Sequence, residues 1–122
     1  MKILVTGGAG FVGRHMCKRF TDLGDTVICV DNLISESAKN LDNWPEHLKC
    51  NNNLQFINKD CRKYFKDEGK NEKFDLVIHL AAVVGGRAVI ENSPIAVAED
   101  LAIDSEMFNW AVKSKPKKNC IF

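Results

Sequence analysis

The sequence predicts an α/β doubly wound fold, and two observations predict it. Strand and helix patterns alternate along the chain, and the strand patterns are apolar throughout rather than on one side only. Continuously apolar strands belong to a parallel sheet covered by helices on both faces. Right-handed crossovers then give the strand order 3-2-1-4-5.

The elements follow in order. Lys2 to Thr6 (KILVT) is a short apolar run with β-branched residues and reads as a buried strand. Val12, Met16, Phe20 and Leu23 recur at helical spacing, and Gly24 stands where a helix C-terminus favours glycine. Thr26 to Val30 (TVICV) is a second strand, ending at Asp31. Ser35 to Asn53 is polar and irregular, with a short helix expected around Ser37 to Asn43 and a break at Pro45. Leu54 to Asn58 (LQFIN) is a third strand, and Arg62 to Asn71 holds a charged short helix or loop. Phe74 to Leu80 (FDLVIHL) is a fourth strand, followed by the small-residue stretch Ala81 to Arg87. Ser93 is a suitable N-cap and Pro94 a suitable first helical residue. Val97, Leu101, Phe108 and Val112 then mark a long helix that stops before Pro116, and Asn119 to Phe122 opens a fifth strand.

Composition narrows the function classes. The chain has 122 residues, 45% apolar and 27% charged, and three prolines, which fits one globular domain spanning 1–122. A net charge of +1 gives no reason to expect nucleic acid or an anionic membrane as a partner. Apolar runs fall short of a membrane span, and no signal-peptide layout precedes the first strand. Cys17, Cys29, Cys50, Cys61 and Cys120 are scattered and odd in number, so reduced thiols in a cytoplasmic protein are expected. His47 and Cys50 have a spacing that metals use, but no second pair accompanies them, and no metal site is expected.

The chemistry concentrates in Val5 to Gly13 (VTGGAGFVG), which follows a strand, opens a helix and precedes Asp31 by 18 residues, counted from Gly13. Glycines permit a tight turn and close backbone approach to a pyrophosphate, and a helix N-terminus offers unpaired N–H groups. A P-loop would end in Gly-Lys-Ser/Thr, whereas Gly13 is followed by Arg14 and His15. A carboxylate at the end of the second strand accepts both ribose hydroxyls and repels a 2′-phosphate, which favours NAD over NADP. Arg14 is the one residue that could offset such a phosphate, or it is a solvated side chain of the first helical turn.

With these motifs in place, the chain resembles the extended short-chain dehydrogenase/reductase family, the NAD-dependent epimerases and dehydratases of nucleotide sugars. The resemblance rests on TGGAGFVG with its G-x-x-G-x-x-G spacing, on Asp31-Asn32, on Asp60-Cys61-Arg62, and on His79-Leu80-Ala81-Ala82, in the family's order. It implies a Rossmann domain in which Gly7, Gly10 and Gly13 shape the pyrophosphate loop while Phe11 and Val12 offer backbone N–H groups. It further implies that Asp31 holds the adenosine ribose beside Asn32, and that Asp60 accepts from the adenine amino group while the Cys61 backbone meets the ring. Leu80, Ala81 and Ala82 would pass under the cofactor. Taken alone, Asp60 reads as a turn or helix cap, and His79 as a satisfied core histidine. The loop Val83-Val84-Gly85-Gly86-Arg87 is similar to that of GDP-sugar enzymes and would border nicotinamide and sugar. There Gly85, Gly86 and Arg87 are candidate substrate residues, or a turn with a surface arginine. The long helix departs from the family: Asp100 to Ser105 stand where an Asn and a Gly-Thr pair are common.

The resemblance also implies a tyrosine base, a lysine four residues later and a serine or threonine, all beyond the fifth strand. A tyrosine starts near pKa ~10 and must be lowered to act near neutrality. The single tyrosine, Tyr64, is followed four residues on by Glu68, so no catalytic residue is assigned. The chain is therefore expected to be the truncated NAD-binding part of such an enzyme, inactive alone, with a nucleotide sugar as the whole enzyme's substrate. Its open sheet edge at the fifth strand suits a homodimer or a missing C-terminal half. The alternatives are a stand-alone NAD-binding sensor or interaction module, and an NADP-dependent GDP-sugar reductase or epimerase.

Overall fold

The computed structural model describes residues 1–35, 38, 44, 51–83 and 87–121; the side chains of 88–90 and 119–121 lie outside it. The elements run β1 (Lys2–Thr6), α1 (Phe11–Asp22), β2 (Thr26–Asp31), β3 (Leu54–Asn58), α2 (Cys61–Lys66), β4 (Leu76–His79), α3 (Arg87–Asn92), α4 (Pro94–Ser114) and β5 (Lys118–Ile121). The five strands form one parallel sheet in the order β3-β2-β1-β4-β5, as the sequence predicts. The short helix expected at Ser37 to Asn43 lies outside the described residues apart from Ala38, and so do His47, Cys50, Gly85, Gly86 and Phe122.

The sheet separates two cores because alternate strand residues point to opposite faces. Ile3 and Val5 of β1, with Val27 and Cys29 of β2, pack beneath α1 around Cys17. Leu4 and Ile28 face the other way, against Tyr64 and Phe65 of α2 and Met107 and Trp110 of α4. Trp110 stacks on Phe65 at 5.0 Å and donates its Nε1–H to the Gly69 carbonyl at 2.8 Å, so its one polar atom is satisfied in the core. Ser114 Oγ donates to the Glu72 carbonyl at 2.8 Å, which fastens the end of α4 to the segment entering β4.

Local chemistry sets the boundaries. Gly24 (φ +82°) ends α1, with Gly24 N–H donating to Thr21 and Asp25 N–H to Phe20, the pairing of a Schellman cap. β4 is shorter than the run Phe74 to Leu80 suggests. Asp75 accepts from the Lys2 backbone at 2.8 Å and pairs with Lys117 at 2.6 Å, while Phe74 turns into the core beside Trp110.

Two expectations about helix faces are corrected. The buried face of α1 is Gly13, Cys17 and Thr21, because small residues let the helix lie close on the glycine loop; Phe20 packs at its edge as expected, while Val12 and Leu23 are exposed. In α4 the buried residues are Met107, Trp110 and Ser114, whereas Val97, Leu101, Phe108 and Val112 are exposed. Ser93 precedes α4 but makes no side-chain cap; its carbonyl accepts from Ala96 and Val97, because α3 ends immediately before it. The sequence reading had no counterpart for α3.

Candidate functional site

The site is built at the carboxyl ends of β1, β2 and β4. β1 lies between β2 and β4, so the chain winds outward in opposite directions on its two sides, and a crevice opens where it does so. Gly7 continues the ladder by donating its N–H to Val30 at 2.8 Å, and Leu80 does the same to Thr6 at 3.0 Å. Gly7 has φ +69°, and a Cβ there would lie 2.7 Å from the backbone of Leu80 and Ala81. Gly13 is as constrained: its Cβ would stand 2.2 Å from the Gly7 carbonyl oxygen and 2.5 Å from Gly8 Cα. These two glycines let the helix, the loop and the β4 end meet without side chains between them.

The loop delivers α1 with its first turn open. Gly10 is the N-cap, no side chain caps it, and no acidic residue stands in the first turn. The amides of Phe11 and Val12 therefore have no acceptor among the described residues, which is the arrangement that attracts a phosphate. Beneath the loop, Cys17 and Cys29 fill space. Hydrogen bonding to Cys17, then burial, pushes the Cys29 thiol up, so it stays protonated.

Asp31 organises the next part of the wall. Its Oδ2 accepts from the Ala9 N–H at 3.0 Å and its Oδ1 from the Leu33 N–H at 2.7 Å. The carboxylate thus ties the glycine loop to the turn after β2, and each oxygen keeps a lone pair for a further donor. Asn32 beside it is exposed and accepts from the Ile34 N–H at 3.3 Å. Asp60 caps α2, accepting from the Arg62 N–H at 2.8 Å, and is forked by the Arg62 side chain. That guanidinium holds the Asp60 carboxyl below the usual range. Burial, then the Asp60 charge, pushes the Cys61 thiol up to about 12, so its side chain is a packing group.

These groups surround one cleft of about 570 Å³. Its lining includes every residue that the sequence assigns to the cofactor: Gly7, Gly10, Phe11, Val12, Gly13, Asp31, Asn32, Asp60, Cys61, Leu80, Ala81 and Ala82. It also includes Val83, the first residue of the loop expected to border nicotinamide and sugar, and Val30, Ile34, Ser35 and Ile103, which the sequence reading left unassigned. Ile34 and Ile103 look like ordinary apolar residues in sequence, and only the fold brings them to the cleft.

Of the candidate substrate residues, Gly85 and Gly86 lie outside the described residues. Arg87 does not line the cleft; it is exposed and pairs with Glu91 at 2.6 Å within α3. Val83 N–H donates to Asp100 Oδ1 at 2.8 Å, which ties the segment after β4 to α4. Arg14 lies over the Phe11 ring, 5.6 Å from its centroid, and does not line the cleft either. Tyr64 is 2% exposed in the opposite core, where burial pushes its phenol up, the reverse of what a base requires.

His79 is a core residue. It is 1% exposed, with Nδ1 2.6 Å from Thr6 Oγ1. Its Nε2 makes no hydrogen bond among the described residues and stands 3.5 Å from Asp104 Oδ1. Burial lowers its pKa from the ordinary 6.5, and the Asp104 charge only partly offsets that. The unfolded chain therefore binds the His79 proton more readily than the folded one just below pH 6.5. His79 stabilises fully above that pH and progressively less as pH falls through the window beneath it. Thermal unfolding at about pH 7.5 and about pH 5.5 is expected to show a smaller acid-induced loss in His79→Asn than in wild type.

Glycine loop, uncapped helix N-terminus and a carboxylate at the end of the second strand together define a dinucleotide-binding α/β domain. The sequence matches the NAD dependent epimerase/dehydratase family over residues 3–122, and the chain belongs to that family. A putative UDP-glucose 4-epimerase of Methanocaldococcus jannaschii is 37% identical over 91 residues, which is 74% of this chain and 27% of that protein. The X-ray structure of Pal from Bacillus thuringiensis superposes with a TM-score of 0.79 at 29% identity, covering 99% of this chain and 38% of that one. UDP-glucuronic acid 4-epimerase from Bacillus cereus, solved with UDP-glucuronic acid and NAD, gives a TM-score of 0.76 at 26% identity, covering 99% and 39%. The chain thus spans between about a quarter and two fifths of the length of these relatives.

Proposed function

We propose that this chain binds NAD in the 570 Å³ cleft and is the NAD-binding portion, residues 1–122, of a nucleotide-sugar epimerase or dehydratase. The observation that carries the proposal is the glycine cradle opening directly onto the uncapped first turn of α1, with Asp31 at its rim. The pyrophosphate lies on the Phe11 and Val12 amides, the adenosine ribose on Asp31 beside Asn32, and the adenine by Asp60 and Cys61. Leu80, Ala81 and Ala82 run beneath the cofactor. NAD held there would supply hydride-transfer chemistry to the whole enzyme. This chain's own residues hold and orient the cofactor; Tyr64, buried in the opposite core, is not placed to transfer a proton to it. Gly85 and Gly86 are the candidate substrate residues of the whole enzyme, whereas Arg87 pairs with Glu91.

The test is a binding titration of the 122-residue chain with NAD and with NADP, followed by calorimetry. NAD is expected to bind at least tenfold or so more tightly, because the Asp31 carboxylate repels a 2′-phosphate. An NADP preference would overturn the assignment of Asp31 and favour an NADP-dependent GDP-sugar reductase or epimerase. Full sugar turnover by this chain alone would contradict its role as a cofactor-binding portion.

A further inference from the structure

Asp60 forms a wall between two clefts. It lines the large cleft and also a smaller neighbour of about 350 Å³, whereas Arg62 lines only the smaller one. Arg62 therefore reaches Asp60 from the far side. Its Nη2 donates to Asp60 Oδ2 at 2.7 Å, its Nε lies 3.1 Å from Oδ1 and 3.2 Å from Oδ2, and its backbone N–H donates to Oδ1 at 2.8 Å. At the other end Nη1 donates to Glu99 of α4. Three N–H groups thus sit on the Asp60 carboxylate, with the Nε–H shared between its two oxygens, which leaves about one of its four acceptor directions open.

The sheet order gives that direction a meaning. Glycine loop, Asp31 and Asp60 stand at the ends of β1, β2 and β3, adjacent strands in sequence across the sheet. Pyrophosphate, ribose and base of one nucleotide half follow the same order. We infer that Arg62 is a specificity-positioning residue: it fixes the plane of the Asp60 carboxylate from behind, so that the acceptor direction left open selects a base carrying an exocyclic amino group. The inference rests on the NAD reading above. A fork from a planar guanidinium sets the rotation of a carboxylate, which a single point charge does not. Without it, Asp60 keeps only its backbone cap on Oδ1 and turns about that bond. Glu99 holds the far end of the guanidinium, so α4 takes part in fixing the base end of the cleft.

The experiment compares NAD with nicotinamide hypoxanthine dinucleotide, in which a carbonyl replaces the adenine amino group, on wild type, Arg62→Ala and Arg62→Lys. Wild type is expected to prefer NAD by on the order of tenfold, the worth of one charge-assisted hydrogen bond partly open to water. Arg62→Ala keeps the backbone cap of α2 and is expected to bind NAD with that preference reduced to about twofold or less. Arg62→Lys, which keeps the charge without the fork, is expected to lose the preference too, and it carries the comparison if the alanine variant folds poorly by circular dichroism. Equal weakening toward both dinucleotides, with the ratio unchanged, would mean that Arg62 only supports α2 and would overturn the inference. Equal binding of both by wild type would overturn it as well, while leaving NAD binding intact. Binding of neither by folded wild type would instead overturn the NAD reading and this inference with it.

Discussion

Gly13→Ala is expected to lose NAD affinity by on the order of 100-fold or more, with a stability loss of about 1–3 kcal/mol. The added methyl would stand 2.2 Å from the Gly7 carbonyl oxygen and 2.5 Å from Gly8 Cα, both backbone atoms that cannot rotate away. Relief requires α1 and the loop to move apart, which pulls the Phe11 and Val12 amides off the phosphate position. Losing two charge-assisted hydrogen bonds, at about 1.5–3 kcal/mol each, accounts for the affinity change. Gly24→Ala is the matched control. Gly24 also has positive φ (+82°), but nothing lies within 4 Å of its Cβ position. That variant is expected to cost about 1–2 kcal/mol from the left-handed backbone alone and to bind NAD normally. Calorimetric titration and thermal unfolding of both variants check the pair; equal NAD binding by Gly13→Ala and Gly24→Ala would sink the cradle explanation.

Asp31→Asn is expected to weaken NAD by about tenfold to 100-fold and to erase most of the discrimination against NADP. It should also cost about 1–3 kcal/mol of stability. The substitution is nearly isosteric, so the reason is electronic. Both Asp31 oxygens accept backbone N–H groups, from Ala9 and from Leu33. An asparagine has one carbonyl oxygen and one NH₂, so whichever way it turns, a donor faces a donor. The loss therefore appears in the unliganded chain as well as in binding. Competition between NAD and NADP reads the charge, and unfolding without ligand reads the tether. A variant with unchanged stability would show that the two backbone bonds contribute little.

The sheet was legible because each strand is a compact apolar run with β-branched residues, and the crossover rule then leaves few orders. The cleft residues were legible because a glycine loop, an acidic strand end and small residues after β4 keep fixed places in this topology. Other features depend on three-dimensional context. α4 carries apolar residues nearly all round, so Val97, Leu101, Phe108 and Val112 looked like a core stripe although Met107 and Trp110 fill the core. In α1 the buried face is made of small residues, with Phe20 of the expected stripe packed at its edge and Val12 and Leu23 exposed. Ser93 has the right residue type for a cap, but α3 ends against it and backbone groups take the role. Asp60 combines what the residues alone suggest and what the resemblance implies: it caps α2 and still lines the cleft. The Arg62 bridge from Asp60 to Glu99 was invisible because only folding brings Glu99 alongside.

The most direct measurement is an NMR titration of the ¹⁵N-labelled chain with NAD, following the backbone amides one by one. The Phe11 and Val12 resonances are expected to shift most, with Ala9 and Leu33 responding through Asp31, and Ala81 and Ala82 as the cofactor covers them. Shifts confined to the smaller cleft around Lys63 and Lys66, or none at saturating NAD, would contradict cofactor binding at the glycine loop.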